Sequence, residues 1–134
     1  MISIYYILLF MIFNHIIADY VLQGILATLK QKDCWKNECM KNCIVFNDSI
    51  YKYDYVAALF MHSFCWTFMI MLPLAICTNF TINTVPVIGV FLINLIIHYV
   101  VDDLKANWKV INLCTDQTIH MIQIFVTWLA FTTI

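Results

Sequence analysis

The chain contains no arginine; all seven of its basic residues are lysines. With a net charge of −1 it offers no basic footprint, which argues against nucleic acid as a partner. Glycine and proline are nearly missing, two of each in 134 residues, so turn chemistry is sparse and there is no room for a linker and second domain. Charge is scarce as well: 11% of residues, where soluble domains run near about a quarter. None of the six cysteines forms a Cys-x-x-Cys pair, which removes the commonest thiolate–zinc and redox signatures. No basic stretch precedes the first apolar run, and that run carries His15 and Asp19, so a cleaved secretion signal is not expected.

What remains is apolar: 63% of residues, with a mean hydropathy of +0.86. Four hydrophobic segments stand out, at about 2–29, 55–77, 85–104 and 116–134. Each is near the ~20 residues that a helix needs to cross a bilayer core. The expected fold is all-α, a single membrane domain over 1–134 built as a polytopic bundle of four transmembrane helices. Between the first two segments lies the polar loop 30–54, which holds Lys30, Lys32, Lys36, Lys41 and Lys52. Its piece Cys34–Cys43 reads as a short interfacial helix with Trp35 at headgroup level. Cys34, Cys39 and Cys43 read as unpaired thiols of a reducing compartment ahead of a structural zinc site, because no histidine accompanies them.

The lysines set a topology. Five lie in the first connection, Lys105 and Lys109 lie in the third, and neither the second connection nor the tails have any. With four crossings the first and third connections share a side, so the positive-inside rule makes that side cytoplasmic and puts both termini outside. The setting is then a plasma membrane, with the loop 30–54 on its cytoplasmic side. Every intramembrane histidine and carboxylate falls in the cytoplasmic half: His15 and Asp19, His62, His98 and Asp102, and Asp116 and His120. Such groups cost at least ~2.5–3.5 kcal/mol each at mid-depth, and gathering them at one level lets them satisfy one another.

Spacing makes the cluster chemical. His15/Asp19, His98/Asp102 and Asp116/His120 are i,i+4 pairs, which stack on one helix face. Along the third segment Asn94, His98, Asp102 and Lys105 share an arc of about 80°. Four imidazoles and three carboxylates converging from four helices suit a divalent metal, Zn²⁺ first and Mn²⁺ or Fe²⁺ as alternatives. Seven candidate ligands exceed one tetrahedral site, so they fit one ion with a full outer shell of partners or two ions. A lone membrane histidine such as His62 is more often a helix–helix hydrogen bonder, and a proton or ion path could use the same groups. Lys105 reads either as a snorkelling anchor or as a contact for a substrate phosphate. Gln23 and Gln117 are candidate donors to substrate or ligands, and Asp103 a solvated interface residue. Trp66, Trp108 and Trp128 read as core or interface aromatics.

His15-Ile-Ile-Ala-Asp19-Tyr-Val-Leu-Gln23, Met61-His62-Ser63, His98-Tyr-Val-Val-Asp102-Asp-Leu-Lys105 and Asp116-Gln117-Thr-Ile-His120 together resemble a family. It is the group of small bacterial and phage integral membrane proteins of unknown function with the pattern HxxADFxLQ…H…HxxxDxxK…DQxxH. Tyr20 stands where Phe is usual. In style the pattern is similar to inner-membrane metal-dependent hydrolases, and more distantly to zinc phospholipase C-like enzymes. That resemblance implies phosphodiester or phosphate-ester chemistry on a lipid or lipid-linked substrate at the cytoplasmic leaflet. In that reading His15, Asp19, His62, His98, Asp102, Asp116 and His120 hold metal, while Asp102, Lys105 and Gln23 act on substrate. The competing expectations are a small metal-ion or proton transporter, and a phage-type effector that binds a host protein through the loop 30–54. A unit this small can pair with itself, although no glycine-based small-xxx-small motif marks an interface.

Overall fold

The computed structural model describes residues 4–35, 51–77 and 84–132. Of the helix expected over Cys34–Cys43 only Cys34 and Trp35 are described; the rest, with Cys39 and Cys43, lies outside the described residues. The described residues are mostly helical, with no strand among them. Helix α1 spans Ile4–Ile16 and runs directly into a π-helical turn, Ile17–Val21, followed by the short α2, Leu26–Leu29. Three long helices complete the chain: α3 (Asp54–Cys77), α4 (Thr84–Ala106) and α5 (Leu113–Thr132).

The first segment is thus not one helix over 2–29. The π turn closes with the Leu22 amide donating to the Ile17 carbonyl at 2.8 Å, and Gly24 adopts φ +47°, a conformation that ends helices. Among the described residues three segments, Ile4–Val21, Asp54–Cys77 and Pro86–Ala106, are long and apolar enough to cross a membrane. At 20 residues α5 has the length, about 30 Å, but Asp116, Gln117, His120 and Gln123 lower its hydropathy.

Side-chain pairs give the arrangement. Trp128 on α5 donates to the Ile4 carbonyl at the start of α1, and Gln117 meets His15 near its end, so α1 and α5 are antiparallel. Asn14 pairs with Met69 and Asp19 with His62, which sets α1 antiparallel to α3. The pairs His62–His98 and Phe64–Phe91 do the same for α3 and α4, and Asn94–Thr127 and Lys105–Asp116 for α4 and α5. Helix α1 and the three long helices form an up-and-down ring in which α1 and α4 each pack between α3 and α5.

The two ends of this ring differ. One half is an apolar core of Met11, Trp66, Ile70, Leu74, Ile124 and Trp128. The other half holds the polar cluster. Between them α4 and α5 share a small buried amide–hydroxyl network: Asn94 donates to Thr127 Oγ1 at 2.9 Å and Gln123 donates to Asn94 Oδ1 at 2.9 Å.

Pro73 sits inside α3, where its missing N–H leaves the Met69 carbonyl without its helical donor. Asn14 Nδ2 donates to that carbonyl at 2.8 Å, so a break in one helix is mended by its neighbour.

Candidate metal centre

All seven of the expected histidines and aspartates come together at the end of the bundle where α1 finishes, α3 begins, α4 finishes and α5 begins. Each is at most 5% exposed, and His98, Asp116 and His120 are wholly buried. The i,i+4 spacing explains much of this for His98/Asp102 and Asp116/His120. For His15/Asp19 the π turn takes over after Ile16 and still directs Asp19 inward.

The three carboxylates follow one rule. Asp19 Oδ2 accepts from Gln117 Nε2 at 2.8 Å. Asp102 Oδ2 accepts from Lys30 Nζ at 2.5 Å. Asp116 Oδ2 accepts from Lys105 Nζ at 2.6 Å and from Gln117 at 3.0 Å. In every case the second oxygen, Oδ1, is buried and accepts no hydrogen bond, and His120 Nε2 is buried without one as well. Orphaned polar atoms of this kind are costly and rare, and four of them in one cluster require a reason.

Their geometry supplies one. His120 Nε2 is 3.5 Å from both Asp102 Oδ1 and Asp116 Oδ1. His62 Nε2 is 3.3 Å from Asp19 Oδ1, 3.1 Å from Asp102 Oδ2 and 3.3 Å from His98 Nε2. Ligands held about 2.1 Å from a tetrahedral ion stand about 3.4 Å apart, so these donors already have the spacing of a coordination shell. Among the described residues three overlapping groups could hold an ion: Asp19, His62 and His98; His98, Asp102 and His120; and Asp19, Asp116 and His120.

His15 stands apart from these groups. Trp66 Nε1, which can only donate, gives its proton to His15 Nδ1 at 2.8 Å. The other nitrogen, Nε2, must then carry the proton, and it donates to Gln117 Oε1 at 3.1 Å. With Oε1 occupied, the Gln117 amide nitrogen faces Asp19 and Asp116. The run Trp66–His15–Gln117 therefore orients two carboxylates, and His15 supports ligands with both nitrogens already engaged. Trp66 also stacks on His98, with ring centroids 4.0 Å apart and planes 15° from parallel.

Two other expectations change. Gln23 leaves the His15/Asp19 face because the helix ends at the π turn; its amide folds back onto the Asp19 backbone carbonyl. Lys105 engages Asp116 rather than Asp102, one turn away on its own helix, and its side chain is 31% exposed at the mouth of the cluster. The lysine that reaches Asp102 is Lys30, only 7% exposed and 72 positions distant in sequence. Spacing could not have found it. Its one sequence signal is that it opens the polar loop directly after the apolar run.

Beyond Lys30 the chain is strapped to the end of α4. Asn107 accepts from the Lys32 amide at 2.6 Å and donates to the Lys30 carbonyl at 3.1 Å, and Lys109 pairs with Asp33 at 2.7 Å. Asp103, expected to be solvated, accepts from Asn107 at 2.7 Å and from Trp108 at 2.9 Å. Cys34, the described member of the loop's cysteine trio, is half-buried beside this strap.

No protein-family model, curated protein or solved structure matches the chain.

Proposed function

We propose that the chain is a four-crossing membrane protein whose buried His/Asp cluster is a divalent-metal centre, and that it hydrolyses a phosphodiester or phosphate ester on a lipid or lipid-linked substrate. The observation that carries the centre is the split of the three carboxylates: each has one oxygen tied by a donor and the other held bare beside His62 or His120.

The membrane reading rests on a surface turned outside in. Phe10 and Phe13 on α1, Phe60 and Phe68 on α3, Ile93 and Ile96 on α4, and Ile122, Phe125 and Val126 on α5 are all exposed, while the polar residues lie within. The outward face of α5 is as apolar as the others, which supports a fourth crossing despite its lower hydropathy. The lysine distribution argues for a cytoplasmic position of the cluster.

The donor set of imidazole and carboxylate, without a thiolate, suits Zn²⁺ or Mn²⁺. A bound ion would supply an activated water and polarise a phosphoryl oxygen. His98 and His120 with Asp102 and Asp116 are the residues to hold it, with His62 beside them; Asp19, tied by Gln117, would take a proton from the water. Lys105 has two protons to spare beyond its bond to Asp116 and sits at the mouth, where a phosphate oxygen would enter. An apolar groove on α5, lined by Cys114, Gln117, Thr118, Met121, Ile122 and Phe125, begins at a residue of the centre and offers an acyl chain a place beside it. A through-path for ions is disfavoured by the apolar core of Met11, Ile70, Leu74 and Ile124, which fills the opposite half of the bundle.

The test is metal analysis of the purified chain joined to an assay on fluorescent phospholipids and a chromogenic phosphodiester. The expected result is bound transition metal, with metal and hydrolysis both lost in His120→Ala. Metal-free protein, or metal retained in that variant, sinks the centre; metal without hydrolysis of any phosphoester sinks the reaction alone.

A further inference from the structure

The two oxygens of Asp102 face different neighbours. Oδ1 looks toward His120 Nε2 and, through it, Asp116 Oδ1. Oδ2 lies 3.1 Å from His62 Nε2, which is itself 3.3 Å from Asp19 Oδ1. The cluster therefore has two sides, each with one oxygen of Asp102, an imidazole and a second aspartate. On the Oδ1 side the donor atoms are bare. On the Oδ2 side a cation is already present: the Lys30 ammonium, 2.5 Å from Oδ2 and nearly excluded from solvent.

We infer that the centre holds one divalent ion on the His120 side, and that Lys30 is a tethered cation blocking a second divalent-cation subsite made by His62, Asp19 and Asp102 Oδ2. The inference rests on the metal-centre reading above. Charge supports it. Three carboxylates and the ammoniums of Lys30 and Lys105 leave the cluster one negative charge, with its imidazoles neutral. One divalent ion turns that to a single positive charge, while a second with Lys30 still in place would gather three in a buried, low-dielectric site. Admission of a second ion therefore requires Lys30 to leave.

Lys30 can leave only if its strap does. Its carbonyl is held by Asn107, the next turn by the Lys32 amide on the same side chain, and Asp33 by Lys109. All three fastenings end on the segment just after α4, and two of them are on one side chain, Asn107, which holds the seat of the ammonium without touching any ligand. The strap is then the element that sets how many ions the centre takes.

Full-length protein in detergent, stripped with chelator and titrated with Zn²⁺, gives the metal-to-protein ratio that decides this. Wild type should take one equivalent. Lys30→Met, which keeps the length and removes the charge, should take two. Asn107→Ala keeps Lys30 and every ligand, and should fill a second equivalent at a free Zn²⁺ level at least about tenfold below that needed by wild type. Two equivalents in wild type, or one in a folded Lys30→Met, overturn the inference. If Lys30→Met does not fold, Asn107→Ala decides: a second equivalent no easier to fill than in wild type overturns it. One equivalent in every protein removes the second subsite and leaves the centre; no metal in any removes both.

Discussion

Asp102 answers to a cation through one oxygen and to a bare imidazole through the other, so its substitution separates two effects. Asp102→Asn strands the Lys30 ammonium in a buried position, which should lower stability by about 3–5 kcal/mol. Metal binding should fall with it. The double variant Asp102→Asn/Lys30→Met removes the stranded charge and should recover much of the stability without recovering metal. Thermal unfolding in detergent and metal analysis on the same samples check both halves; equal stability of the single and double variants contradicts the pairing. Gln117 makes the complementary case. It would touch no metal, yet it fixes Asp19 and Asp116 together, so Gln117→Ala should weaken metal affinity by about 10–100-fold with little change in fold. An unchanged affinity would mean that the two carboxylates orient themselves. The pairs His98/Asp102 and Asp116/His120 were legible in the sequence because four residues is a spacing that helices preserve. Gln117 was visible only as a nearby donor, and Lys30 and Trp66 owe their roles to contacts across 72 and 51 positions, which no local pattern encodes.

Among the elements, α3 carries the clearest dependence on a neighbour. Pro73 opens a gap in its hydrogen bonding, and Asn14 of α1 fills it. Asn14→Ala should destabilise the bundle by about 1–3 kcal/mol, the cost of a buried carbonyl left unsatisfied. In a Pro73→Ala background the helix supplies its own donor, and the same substitution should cost far less. A double-mutant cycle on unfolding free energies measures the difference, and additivity would contradict the account. The expected segments at 55–77 and 85–104 differ little from α3 and α4, since long apolar runs admit few other readings. The first segment misled for a physical reason. Hydropathy stays high from Ile2 to Leu29, but hydropathy does not register where a helix widens to a π turn and then stops at Gly24 with φ +47°. That stop is what turned Gln23 away from the site while Asp19 stayed on it.

For the whole molecule, the proposed four crossings with the lysine-bearing connections in the cytoplasm make a topology that labelling can check. A membrane-impermeant thiol reagent applied to right-side-out cells should modify Thr81→Cys, in the second connection of a chain whose native cysteines are replaced, and should miss Cys34 kept alone. Applied to inverted vesicles it should do the reverse, and the opposite pattern would move the centre to the outer face. The stacking of Trp66 on His98 has one more consequence, an optical one. Of the four tryptophans, Trp66 is wholly buried, and it is both donor to His15 and 4.0 Å from the His98 ring. An ion drawn to His98 changes the electron demand of the ring against which the indole lies, so occupancy should be readable as a change in intrinsic emission. The molecule carries its own fluorophore at the centre, and Trp66→Phe should silence it.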